Sequence, residues 1–95
     1  MKKETFNEII KDRDNILLLD IREAEELLND ETIEGAINMP MDKVFTEAGK
    51  DNLPTDKQIV VFCRSGMRAS VVVRKLTTLG YKIEGLEGGL NELSV

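Results

Sequence analysis

A three-layer α/β domain built on a central parallel sheet is the fold class this sequence predicts, and three observations predict it. Two short runs, ILLLD at 16–20 and IVVF at 59–62, are apolar without polar alternation, the pattern of strands buried on both faces. Segments with helical spacing lie between and after them, and strands that alternate with helices imply a parallel sheet covered on both sides. The chain has 95 residues, 41% of them hydrophobic, which suits one small globular domain, 1–95, with a core of its own. There is no internal repeat, low-complexity tract or linker.

The elements follow in order. Glu4 to Lys11 carries Phe6, Ile9 and Ile10 at helical spacing, and ILLLD is the first core strand. Glu23 to Leu28 is a short helix candidate rich in acid and leucine. GAINM at 35–39 reads as a strand stopped by Pro40, which has no N–H for a ladder. Met41 to Ala48 forms a short helix, with Asp42 near its start as a cap. Leu53-Pro54-Thr55-Asp56 is turn chemistry leading into the second core strand. Residues 68–79 give conflicting signals. Val71, Val72 and Val73 favour a strand, yet Ala69, Val72, Val73, Leu76 and Leu79 share one helical face, and Gly80 follows as a C-terminal cap. The helix is the better assignment. KIEGL at 82–86 is a last short strand before a Gly88-Gly89 turn.

The net charge of −5 disfavours nonspecific binding to nucleic acid or to an anionic membrane. An anion site must therefore be local, and Arg64 and Arg68 are its leading residues. One cysteine and no histidine leave neither an internal disulfide nor a zinc site, so no metal or other cofactor is expected. The opening MKKETFNEII lacks the apolar core of a signal peptide, and no run approaches the ~18 apolar residues of a membrane helix. The expected location is the reducing cytoplasm.

The only cysteine lies in IVVFCRSGMRAS, residues 59–70. Histidine is the usual base for a cysteine nucleophile, and this chain has none. The order strand, Cys63-Arg64-Ser65-Gly66-Met67-Arg68, helix offers a substitute. In open parallel sheets ligands bind beyond the carboxyl ends of the strands. A loop there turns backbone N–H groups inward, and the following helix adds the positive end of its dipole. Gly66 permits the tight backbone that wraps a small anion. Such a cradle, with two guanidinium groups, favours a thiolate over a thiol and also attracts an anionic substrate, because arginine presents a planar fork to anion oxygens. Taken singly, a cysteine at a strand end is usually a small buried hydrophobe, and a loop arginine is usually a solvated charge. Their joint placement around Gly66 favours a site. Met67, at the crown of the loop, reads equally as packing over the loop mouth or as a substrate contact.

The chain resembles the rhodanese sulfurtransferases over nearly its whole length. The resemblance rests on LLLDIREAEEL at 17–27, IEGAINMP at 33–40, IVVFCRSGMRAS at 59–70, LGY at 79–81 and LEGGL at 86–90. It implies a five-stranded parallel sheet with helices on both faces. It also implies that Cys63 is the catalytic nucleophile, taking sulfur from a small anionic donor such as thiosulfate to become a persulfide. A thiophilic acceptor, cyanide or a thiol of a small molecule or protein, then takes the outer sulfur. By the same resemblance the amides of residues 64–68 hold the persulfide, so that Arg64, Ser65, Gly66, Met67 and Arg68 form the donor site. Related phosphatases place five residues between cysteine and arginine. Here four separate Cys63 from Arg68, a smaller cup suited to one sulfur atom. Two loop arginines resemble the thiosulfate type rather than the mercaptopyruvate type. Asp20 and Arg22 match the family's Asp-x-Arg and imply structural support of the site; on its own, the plainer reading is a charged strand end with an ion pair to a neighbouring Glu. Gly35-Ala36 matches a second signature block.

This chain departs from the family at two places. Thr32 precedes Ile33 where a histidine is common, and no aromatic follows the Gly88-Gly89 pair. Three rivals to the enzyme reading are a persulfide carrier in a sulfur relay, a regulatory binding module, and a small phosphatase or arsenate reductase. Retention of Cys63 argues against the binding module.

Overall fold

The computed structural model describes residues 1–93. It contains helices α1 (Lys3–Ile9), α2 (Met41–Gly49), α3 (Met67–Thr78) and α4 (Leu90–Leu93), strands β1 (Ile16–Asp20), β2 (Ile37–Asn38), β3 (Gln58–Phe62) and β4 (Ile83–Gly85), and a 3-10 turn at Ala24–Leu27. The strands form one parallel sheet in the order β2-β1-β3-β4. In register, Leu19 of β1 lies between Ile37 of β2 and Val61 of β3, and Ile59 of β3 faces Ile83 of β4.

Alternation along β3 divides the core into two layers. Ile59, Val61 and Cys63 pack with Leu19 and Ile21 under Val44 and Ala48 of α2 and Ala69, Val72 and Leu76 of α3. Val60 and Phe62 face the other way, with Leu18 and Leu86, onto Phe6 of α1 and the partly buried Leu90 and Leu93 of α4. Phe6 meets Phe62 edge to face, with ring centres 6.2 Å apart. Full burial of a side chain of this kind contributes about 1.5–3 kcal/mol, which is why the two apolar runs take the centre of the sheet. No helix among the described residues is long and apolar enough to cross a membrane.

Several expectations need correction. The sheet has four strands among the described residues, not five. Beside the free edge of β4 lies a single residue: the Met1 amino group donates to the Gly85 carbonyl (2.6 Å), and the Glu87 N–H donates to the Met1 carbonyl (2.8 Å). The chain then enters α1 at Lys3. The strand expected at 35–39 shrinks to Ile37–Asn38, because Gly35 has φ +86° and the Ala36 N–H closes a turn onto the Ile33 carbonyl. Within residues 23–28, Ala24–Leu27 winds as a 3-10 turn rather than an α-helix. Asp42 does not cap α2; Pro40 holds the cap position without a side-chain hydrogen bond, and Asp42 lies in the first turn.

The segment at 68–79 is helical, one residue earlier than expected at each end. Leu79, however, is half exposed. It stands where α3 has ended, and Gly80 (φ +95°) turns the chain away. The buried Tyr81 packs into that layer instead, its hydroxyl donating to the Ala48 carbonyl at 3.1 Å.

Candidate active site

β3 ends at Phe62, and strand alternation sends the next side chain, Cys63, toward α2 and α3, where it is fully buried. The backbone then reverses through Arg64 and Ser65 to Gly66, the residue before α3, with φ +91°. A residue with a Cβ is strained in that conformation, and a Cβ there would also sit 2.9 Å from the Gly88 nitrogen. With glycine in place, the Gly66 N–H donates to Cys63 Sγ at 3.1 Å. Sulfur therefore lies at the N-terminal end of a 12-residue helix, where unpaired amides and the dipole favour negative charge.

The outer side of the loop is held by the Gly88-Gly89 turn. The Leu90 N–H donates to the Cys63 carbonyl (2.9 Å), and the Asn91 N–H donates to the Arg64 carbonyl (3.1 Å). These bonds draw the loop carbonyls outward, toward the first turn of α4 and away from the sulfur. Gly89 (φ +62°) is required for this approach, since a Cβ on it would overlap both carbonyl oxygens. The turn expected from sequence thus serves as the buttress of the cysteine loop.

The two loop arginines take different positions. Arg68 forks onto Glu26, with Nη1 to Oε2 at 2.7 Å and Nη2 to Oε1 at 3.0 Å. Its pKa is raised above the usual value, first by the hydrogen bonds to Glu26, against some desolvation, and with a further contribution from the neighbouring Cys63. Glu26 responds in kind: hydrogen bonds from Arg68 lead in holding its carboxyl down to about 2. Arg64 is instead paired with Asp30. It lines an open cleft of about 270 Å³ with Asp30, Thr32, Ile33, Leu90 and Leu93. Ser65 is exposed, and its Oγ accepts a long 3.5 Å contact from the Met67 N–H. Met67 is 75% exposed and does not pack down over the loop mouth.

Asp20 and Arg22 are fully buried and pair with each other, rather than Arg22 pairing with a neighbouring Glu. Arg22 Nε lies 3.0 Å from Asp20 Oδ1 and Nη2 lies 2.8 Å from Oδ2, while the Arg22 N–H also donates to Oδ1 at 3.1 Å. Burial pushes the Asp20 carboxyl up, but hydrogen bonds from Arg22 and Thr32 outweigh it, and the net shift is downward. The Thr32 hydroxyl donates to Asp20 Oδ2 at 2.7 Å, so the residue standing where a histidine is common ties its loop to the strand end. Nη2 of Arg22 also donates to the Glu31 carbonyl (3.2 Å), and the Asn38 amide donates to the carbonyls of Asp20 and Arg22. The segment carrying Glu26 and Asp30 is anchored in this way beside the cysteine loop.

Glu26 and Asp30 are the site residues that sequence reasoning did not single out. Glu26 belongs to an acidic run, and its partner lies 42 positions away; no local pattern distinguishes it from Glu23 or Glu25.

A four-stranded parallel sheet with a thiol loop at the carboxyl end of a central strand and the N-terminus of the next helix defines a single-cysteine α/β domain. The chain belongs to the Rhodanese-like domain family, which matches residues 3–94. It is 30% identical over 88 residues to a protein of Allochromatium vinosum named Sulfurtransferase, covering 92% of this chain and 79% of that protein. It is 34% identical over 85 residues to YtwF of Bacillus subtilis, covering 90% of this chain and 80% of YtwF. A crystal structure of a rhodanese-related protein from Thermoplasma volcanium superposes with a TM-score of 0.82 at 29% identity, covering 99% of this chain and 89% of that one.

Proposed function

We propose that this chain is a rhodanese-type sulfurtransferase that moves a sulfane sulfur from thiosulfate or a similar donor to a thiophilic acceptor through a persulfide on Cys63. The observation that carries the reading is the Gly66 N–H aimed at Cys63 Sγ, 3.1 Å away, at the head of α3 with Arg68 alongside. In the first step the Cys63 thiolate attacks the outer sulfur of thiosulfate. A sulfur–sulfur bond forms to Cys63, the donor's sulfur–sulfur bond breaks, and its electron pair leaves with sulfite. The negative charge stays on the terminal sulfur, where the loop amides and the helix end stabilise it. In the second step cyanide or a thiolate attacks that terminal sulfur, and Cys63 departs as a thiolate. Because the thiol is buried, a donor reaches the sulfur only when groups around it move, and Arg68 is its charged neighbour. Family membership and a relative named as a sulfurtransferase support the reading. A reducing cytoplasm would keep the thiol free.

Intact mass before and after thiosulfate tests this directly. The expected result is the gain of one sulfur atom, removed by cyanide and absent from Cys63→Ser. A folded protein with a titratable thiol that gains no sulfur from any donor would overturn the proposal.

A further inference from the structure

Arginines beside a thiol loop attract anions only to the extent that their charge is free. Here each loop arginine already holds a carboxylate: Arg68 is forked onto Glu26, and Arg64 is paired with Asp30. A third guanidinium reaches the same place. Nη1 of the buried Arg22 makes no hydrogen bond among the described residues and lies 3.7 Å from Asp30 Oδ2. Two positive charges on the loop therefore meet two negative charges on residues 26–30, on a chain whose net charge is −5. A free dianion must take the guanidinium groups from their partners and then tolerate the displaced carboxylates nearby. A singly charged donor meets half of that repulsion.

The two carboxylates are not equivalent. Glu26 also accepts the Glu23 N–H at 2.7 Å and so shapes its own 3-10 turn. The Asp30 side chain is 43% exposed, and its partners among the described residues are the two guanidinium groups. Among the described residues no backbone N–H donates to its carboxylate, so removing its charge breaks no backbone hydrogen bond there and leaves Arg22 to its bonds with Asp20 and Glu31.

We propose that Asp30 is a specificity-determining residue: by neutralising Arg64 beside the Cys63 loop, it biases the site against dianionic sulfur donors and toward singly charged ones. The proposal rests on the sulfur-transfer reading and names the donor class which that reading leaves open. Thiosulfate and methanethiosulfonate are suitable probes, because the covalent step is the same for both. The Cys63 thiolate bonds to the sulfane sulfur, the donor's sulfur–sulfur bond breaks, and the electron pair leaves with sulfite or with methanesulfinate. The donors differ in charge, two against one, and in a methyl group in place of one oxygen, so the test compares how each donor responds to the Asp30 variants.

The test measures kcat/KM for both donors at low ionic strength, with cyanide as acceptor, in the wild type and Asp30→Asn. Removing one negative charge at this distance should raise kcat/KM for thiosulfate about five- to tenfold, chiefly through a lower KM, and for methanethiosulfonate about two- to threefold. Near 1 M salt, where the screening length is only about 3 Å, the difference should largely disappear. Asp30→Ser, which removes the charge without adding an amide, should change the donor ratio in the same direction. Arg64→Gln in the Asp30→Asn background should return it toward the wild-type value. A donor ratio unchanged in both Asp30 variants, with both donors still loading Cys63, would overturn this proposal alone. Failure of both donors to load wild-type Cys63 at any salt concentration would overturn the sulfur-transfer reading and this proposal with it.

Discussion

Arginine meets carboxylate in two settings in this molecule, and the same chemistry has opposite consequences in each. Asp20 and Arg22 are both fully buried. Their pairing is multiply hydrogen-bonded, and Thr32 and Glu31 take further bonding positions. Arg68 and Glu26 are each about one-third exposed, and Arg64 and Asp30 are each 43% exposed. In the buried pair neither charge can fall back on water, and Asp20 is the partner that hydrogen-bonds the Arg22 guanidinium through two of its nitrogens. In the outer pairs water can replace either partner, so breaking them costs little but changes how much positive charge the loop presents. The inner pair anchors the segment 20–32; the outer pairs set the electrostatic character of the site which that segment borders.

The largest expected effect comes from breaking the inner pair. Asp20→Ala strands the Arg22 charge in the interior and should destabilise the fold by about 3–5 kcal/mol, a large share of the roughly 5–15 kcal/mol that holds a domain together. Urea titration checks this. A variant of near-native stability would erase the distinction between the two settings.

A smaller effect is expected where the loop is buttressed. Gly89→Ala places a Cβ against the carbonyls of Cys63 and Arg64 at a positive φ, and should cost about 1–3 kcal/mol. It should also slow sulfur loading, because the loop must shift. Thermal unfolding and the rate of persulfide formation read the two consequences separately. Normal values for both would mean that α4 does not hold the loop.

The smallest effect concerns the outer pair and acid. The folded-state pKa of Glu26, about 2, lies below its ordinary 4.5. The stabilisation from this ionised carboxylate is therefore fully present above about pH 4.5 and is lost as pH falls toward 2. Because the pair is partly solvated, the contribution is small. Glu26→Gln should lower stability slightly at neutral pH and flatten that part of the acid limb, while Asp20 continues to contribute acid sensitivity. Stability measured across pH 2 to 7 tests this; an unchanged acid limb in Glu26→Gln would mean that the ionised Glu26 carboxylate does not contribute to it.

The amino-acid sequence by itself determined the two central strands, since apolar runs such as ILLLD and IVVF have no stable place except between two helical layers. It also determined the position of Cys63 after the second of them, the glycine that lets an amide face the sulfur, and the helix that follows, whose Ala69, Val72 and Leu76 point into the core. All of these are local patterns read within about ten residues. Tertiary structure alone decided the rest. It cut GAINM to a two-residue strand, gave the sheet four strands among the described residues, and put Tyr81 rather than Leu79 into the core. It also chose Glu26 and Asp30 from an acidic stretch as the partners of Arg68 and Arg64, and aligned the Gly88-Gly89 turn under the cysteine loop. The physical reason is separation along the chain. Burial and backbone geometry are demanded by a residue and its neighbours, whereas an ion pair across 34 or 42 positions exists only because the sheet brings those two loops to the same end.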